Sequence, residues 1–292
     1  MELSLNDVNF INYYINMKKV LFYSILSLSF FAPIFAYTPS DEEKAELTEL
    51  KGQITQLGEE SNLTLWNLYE QARDILPYIT DEKINYYITQ LRDYSLTKFT
   101  TKKDKAKDAT EDLKKEIIEE YKTALENAES LSENCYGWYN TLDNLSYAYD
   151  FPTALTIAIW YRESSCWYYL PKNGDWPFQI TSKDYWNWEI SKEIFEQTIK
   201  DFLEFSWNKI NRYNSKNPDT PILMWYKYFT YDGLYKFAGL YNWLSGWTVY
   251  WDIAPANEKY FLEKMPWEYE NWKKNWLFLQ FLKVLERELE NN

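Results

Sequence analysis

The residue with the clearest potential for chemistry is Glu163, which ends a run of residues typical of a buried helix. The segment from Leu155 to Trp160 is almost wholly apolar, so we expect this helix to lie inside a domain. A carboxyl group at the end of such a helix is costly to ionise, and desolvation would keep a proton available for general-acid catalysis. The simpler alternative is that Glu163 lies at a solvated helix end and pairs with Arg162 or a lysine.

Three short motifs occur in order around this acid. Glu163 precedes Ser164 and Ser165; the segment Phe178-Gln179-Ile180 follows a turn that contains Gly and Asp; and Gly239-Leu240-Tyr241-Asn242 comes later in the chain. In this order the motifs resemble the soluble lytic transglycosylase branch of the lysozyme-like superfamily, over residues 135–292.

The resemblance implies an α-helical domain that cleaves the β-1,4 bond between N-acetylmuramic acid and N-acetylglucosamine in peptidoglycan. Glu163 would act first as general acid and then as base, and neither a metal nor an organic cofactor is implied. The implied substrate-binding residues are Ser164, Phe178, Gln179, Tyr241 and Asn242.

Two other functions stay open. A muramidase would use water instead of the muramoyl 6-hydroxyl, and a two-carboxylate mechanism would need a partner such as Asp175 or Asp184. The alternative from another class is a non-catalytic envelope protein with a degenerate lysozyme-like fold, which binds glycan or serves as a scaffold.

Tryptophan stands at two positions where the family has glycine, Trp176 and Trp243. The chain has 7 Gly in 292 residues, about 2% against an average of about 7%. Either both residues are genuine, or the gene uses UGA codons that its host reads as glycine; the codons at these positions decide between the two.

The residue inventory excludes several catalytic classes. The chain has 0 His, so a Cys–His pair, a Ser–His–Asp triad and histidine ligands for zinc are all excluded. The 2 cysteines, Cys135 and Cys166, are expected to pair as a disulfide in an oxidising compartment.

Residues 1–36 have the features of an export signal. Lys18 and Lys19 precede the apolar run 20–36, and Ala36 is suited to the cleavage position. We expect translation to begin at Met17 and the mature chain to be secreted or held in the cell envelope, with no membrane association after cleavage. An uncleaved membrane anchor is the alternative, although the run is short for a span of about 20 residues.

The remainder divides by composition into an arm and a domain. Residues 37–134 carry narrow apolar stripes, such as Leu47, Leu50, Ile54 and Leu57, which predict a helical, coiled-coil-like arm. The arm is expected to act as a spacer or as a surface for self-association. Residues 135–292 form the predicted lysozyme-like domain, so the whole fold is expected to be mainly α.

The net charge of the chain narrows the classes of possible binding partner. The net charge of −13 argues against nucleic acid or an anionic membrane as the partner. A neutral polysaccharide requires aromatic faces and hydrogen-bonding groups rather than a basic groove, and the predicted domain is rich in both.

Overall fold

The protein is described from a computed structural model, which covers residues 37–126, 128, 130–166, 177–178, 192–241 and 277–290. Over these residues the fold is mainly α, which confirms the prediction. The predicted signal segment, Trp176, Gln179, Asn242 and Trp243 lie outside the described residues.

Within the described residues, the helices and strands are numbered in chain order. In order they are α1 Asp41–Glu60, α2 Asn62–Ile75, a 3₁₀ turn Leu76–Tyr78, α3 Glu82–Glu120, α4 Lys122–Leu125, a 3₁₀ turn Glu133–Cys135, α5 Tyr139–Ala148, α6 Thr153–Ser164, α7 Lys192–Lys216, β1 Met224–Trp225, β2 Tyr228–Phe229, α8 Tyr231–Tyr241 and α9 Leu277–Glu290. The two strands form an antiparallel pair in which Met224 lies opposite Phe229.

The chain divides into two compact units between Thr100 and Thr101, inside α3. Composition predicted the boundary at residue 134, and the division lies before it. Lysines in the second half of α3 bond to α5 and α9, so this half of α3 belongs to the second unit. The assignment of residues 135–292 to a lysozyme-like domain stays a prediction.

The first unit contains α1, α2 and the first half of α3. Ser40 and Glu43 close the start of α1 with a reciprocal capping box. Leu47 and Ile54 of the predicted stripe are buried. At the start of α3, the Asp81 carboxylate accepts a hydrogen bond of 2.9 Å from the Ile84 amide, as expected for a cap.

The core of the second unit is built around α6. All eight residues from Thr153 to Trp160 are buried, as the apolar sequence predicts. The terminal helix α9 packs against α6 and buries Phe281, Leu282 and Leu285. Because α6 is covered on all sides, only its ends can present groups for chemistry.

Among the residues that the structure describes, no helix combines the necessary length with sufficient apolar character to cross a bilayer.

Candidate functional site

The last turn of α6 carries Glu163 out of the core. Trp160 is fully buried, whereas Glu163 is half-buried, so exposure begins within one helical turn. The helix ends at Ser164, and Ser165 and Cys166 both adopt left-handed backbone conformations, with φ of 54° and 56°. This turn redirects the chain directly after the acid and its neighbouring serine.

The hydroxyl of Ser164 is engaged with the helix backbone. It donates a hydrogen bond of 3.0 Å to the carbonyl of Trp160, one turn earlier. Such a bond is a common local satisfaction of a serine at a helix end. In this geometry Ser164 shapes the end of α6, and contact with a substrate would require its hydroxyl to rotate away.

Three segments predicted to share one site do come together here. The Tyr241 hydroxyl donates a hydrogen bond of 2.5 Å to the Phe178 carbonyl. Burial, and then the negative charge of Glu163, raise the pKa of Tyr241 well above its ordinary value. The end of α8, the turn at Phe178 and the end of α6 are therefore neighbours.

The rings of Phe178 and Tyr241 lie in the core rather than on a surface. Phe178 is 1% exposed and stacks on Phe202 with centroids 4.4 Å apart, and Tyr241 is 7% exposed. Neither ring presents a face to a sugar in this structure, so we assign both a packing role in place of the predicted contact. Their chain neighbours Gln179 and Asn242 lie outside the described residues.

A disulfide holds the carboxyl end of α6. Cys135 and Cys166 are bonded, with Cα atoms 5.0 Å apart, as the sequence predicts. Beside this bridge, Arg287 of α9 makes a bidentate ion pair of 2.6 and 2.7 Å with Glu133. The guanidinium also lies 3.6 Å from the ring centre of Tyr136. Together these contacts tie the turn before α5 to both α6 and α9.

The amino end of α6 is held by a buried carboxylate, Asp143, that the sequence analysis missed. One oxygen accepts hydrogen bonds from Thr153, the first residue of α6, at 3.0 Å, and from Tyr226 at 3.3 Å. The other accepts from Lys103 at 2.9 Å and forms an ion pair with Lys107 at 3.0 Å. Asp143 therefore joins α3, α5, α6 and the strand turn.

Two opposing effects act on the Asp143 carboxyl group. Burial raises its pKa, but the charges of Lys103 and Lys107 and their hydrogen bonds outweigh burial, so the pKa lies below its usual range. Asp143 is therefore ionised in the folded protein at neutral pH.

A second buried carboxylate, Glu288 of α9, lies close to this group in the same unit. It accepts hydrogen bonds from Lys114 at 2.6 Å and from Tyr139 at 3.0 Å. Burial, and then the charges of Glu288 and Asp143, raise the pKa of Tyr139 far above its ordinary value. These pairs are fully engaged with protein partners, which favours a structural role.

A metal centre and an open cleft are the other places where chemistry could occur. Among the described residues, no group of three or more acids and cysteines is arranged to hold a metal ion. The first unit has an open cleft of about 400 Å³, lined by Ile75, Tyr78, Ile79, Thr80, Asp81 and Ile84. Its walls are almost wholly apolar, so it offers no set of groups for catalysis.

Comparison with known proteins supplies no functional assignment, so any assignment rests on Glu163 and its neighbours. No family model, no curated protein and no solved structure matched the chain.

Proposed function

We propose that this protein is an exported enzyme that cleaves the β-1,4 bond between N-acetylmuramic acid and N-acetylglucosamine in peptidoglycan. The observation that carries the proposal is the position of Glu163 at the end of a buried helix, beside a tyrosine bonded to Phe178. The three motif segments lie far apart in sequence, and their meeting at one acid is what a composite cleft requires.

The proposed reaction needs one carboxyl group and no cofactor. Glu163 gives its proton to the glycosidic oxygen while the bond from that oxygen to muramoyl C1 breaks, and the electron pair stays on the oxygen. The muramoyl 6-hydroxyl then attacks C1, and the Glu163 carboxylate takes the hydroxyl proton. The product is a 1,6-anhydro sugar end, and the acid is regenerated without consuming water.

The neighbouring residues have separate roles in this proposal. Ser164 closes the helix that carries the acid, and Phe178 and Tyr241 fix the two chain segments that lead into Gln179 and Asn242. Gln179 and Asn242 bind the sugar by hydrogen bonds. If water replaces the 6-hydroxyl, the same residues act as a muramidase.

The remaining features agree with this substrate and compartment. The acidic chain argues against nucleic acid as the partner, and a disulfide suits a compartment outside the cytoplasm. Secretion through residues 1–36 and self-association through the arm at 37–134 are parts of the same proposal.

The test is incubation with purified peptidoglycan, followed by mass analysis of the soluble products. Glu163→Gln should retain the fold but lower the rate at least about 10²-fold, because the transferable proton is gone. Glu116→Gln is the matched control, since Glu116 is an exposed glutamate of α3. Anhydro ends identify a transglycosylase, and reducing ends identify a muramidase.

The experiment is run on the sequence as given and on Trp176→Gly/Trp243→Gly, so that a cleft filled by tryptophan is not mistaken for a missing acid. Equal release of products by the parent and by Glu163→Gln would refute the assignment. Binding of peptidoglycan without any cleavage by either version would favour the non-catalytic glycan-binding protein.

A further inference from the structure

We propose that Lys209 of α7 is a positioning residue of this site, which closes the carboxyl end of α8 and thereby fixes Tyr241. The proposal rests on the proposed function for its effect on catalysis. Its structural part rests only on contacts within the second unit.

One face of α7 supports the segments on both sides of the site. Phe202, Phe205 and Lys209 are spaced by three and four residues, so they lie along the same face of the helix. Phe202 stacks on Phe178, and Phe205 meets the edge of Tyr241 at 6.1 Å between ring centres. Lys209 is the polar end of this face.

The Lys209 ammonium group makes two hydrogen bonds to the last carbonyls of α8. It lies 3.2 Å from the Leu240 oxygen and 2.9 Å from the Tyr241 oxygen. It also lies 4.4 Å from the centre of the Phe205 ring and 5.5 Å from that of Tyr241. The same cation therefore contacts both the backbone and the ring of Tyr241.

A cation is well suited to this position. The last carbonyls of a helix lack partners within the helix and carry the negative end of its dipole, so a lysine there both satisfies and stabilises them. Lys209 is half-buried, and burial lowers its pKa, which is unfavourable for the charged group. The two carbonyls and the two rings offset part of this loss of hydration.

Lys209 affects the orientation of Tyr241 as well as the stability of the end of α8. Tyr241 is held at its carbonyl by Lys209, at its ring by Phe202 and Phe205, and at its hydroxyl by the Phe178 carbonyl. Release of the carbonyl would allow the last turn of α8 to fray and the ring to shift relative to Glu163. A shift of this kind changes turnover more than overall folding.

The test compares Lys209→Met, which keeps most of the length of the side chain but removes its donors, with Lys209→Arg, which keeps both charge and donors. Lys216→Met is the control, because Lys216 is exposed in the last turn of the same helix. Hydrogen exchange followed by mass spectrometry should show the amides of the last turn of α8 exchanging at least about tenfold faster in Lys209→Met only.

Activity gives a second readout on soluble glycan strands released from peptidoglycan. In Lys209→Met, kcat should fall about tenfold while KM changes by less than about threefold, and Lys209→Arg should recover most of the loss. If Lys209→Met does not fold, Lys209→Leu, which also lacks a donor, replaces it in both measurements.

Unchanged exchange at the end of α8 would overturn the proposal. So would faster exchange spread evenly over α5 to α9, since this would assign Lys209 to general stability. A parent that does not cleave glycan would refute the proposed function alone, because the exchange comparison decides the role of Lys209 without activity.

Discussion

Replacement of Asp143 by asparagine is the sharpest test of how α6 is held. The change keeps the shape of the side chain but removes a carboxylate that accepts from Thr153 and Tyr226 and pairs with Lys103 and Lys107. Both ammonium groups would then be left without their shared counter-charge.

The magnitude follows from how deeply the pair is buried. The Asp143 side chain is 2% exposed, and those of Lys103 and Lys107 are 12% and 23% exposed. Removal of one partner from a buried pair costs about 3–5 kcal/mol, and partial access of water to the lysines favours the lower end. A loss of about 3 kcal/mol corresponds to a Tm lower by about 6–12 °C in a unit of this size.

The assay is urea denaturation and thermal melting of the parent, Asp143→Asn and Asp108→Asn. Asp108 is an exposed carboxylate of α3, so its replacement should change the free energy of unfolding by less than about 0.5 kcal/mol. Adding Lys107→Met to Asp143→Asn should recover about 1 kcal/mol of the free energy of unfolding. The second change removes one of the two ammonium groups that Asp143→Asn leaves without a counter-charge.

Two results would contradict this account. A free energy of unfolding for Asp143→Asn within about 0.5 kcal/mol of that for Asp108→Asn would show that the carboxylate contributes little. Further destabilisation by Lys107→Met in the Asp143→Asn background would show that Lys107 acts through partners other than Asp143.

Further predictions concern acid, the disulfide and export. Folding lowers the pKa of Asp143. Its contribution to stability is therefore complete above the ordinary aspartate pKa of about 3.9 and is lost as the pH falls through the pKa of Asp143 in the folded protein. Between pH 5 and about pH 2, the parent should therefore lose more stability than Asp143→Asn, and equal losses in urea titrations would contradict this. Joint replacement of Cys135 and Cys166 by serine should lower the free energy of unfolding by about 3–4 kcal/mol. The reduced parent should have the same Tm as this double variant. Mass spectrometry of the exported protein should give Tyr37 as the first residue, and peptides from residues 20–36 would count against cleavage.

Local sequence patterns were sufficient for the helices and their ends. The apolar run from Leu155 to Trp160 predicted a fully buried helix, which the structure confirms, and Asp81 is a residue type typical of the cap that it forms at the start of α3. Periodicity and capping depend on residues within a turn or two of one another, so they can be read without knowledge of the fold.

The two cysteines were also predictable as a pair. With Cys135 and Cys166 as the only cysteines, each has one possible intramolecular partner, and the structure joins them. The geometry that makes the bridge useful, at the end of the helix that carries Glu163, depends on the packing of α5 and α6.

The burial of polar groups was decided by tertiary structure alone. The Lys- and Asp-rich composition of residues 102–108 is typical of a solvated segment, yet Lys103 and Lys107 lie inside the long helix α3 and pair with a buried aspartate. Asp143 itself occupies an ordinary polar position in its helix. Which lysine meets which carboxylate depends on the helix faces that pack together, and these faces are brought together by contacts between residues far apart in sequence.

Tertiary structure also decided the arrangement of the candidate site. The sequence placed Glu163, Phe178 and Tyr241 in a plausible order, but only the fold turned the Phe178 and Tyr241 rings inward and set Lys209 against the end of α8. Residue type and spacing identify groups capable of chemistry. Packing decides which of them face a substrate and which hold the others in place, because exposure is a property of the assembled core.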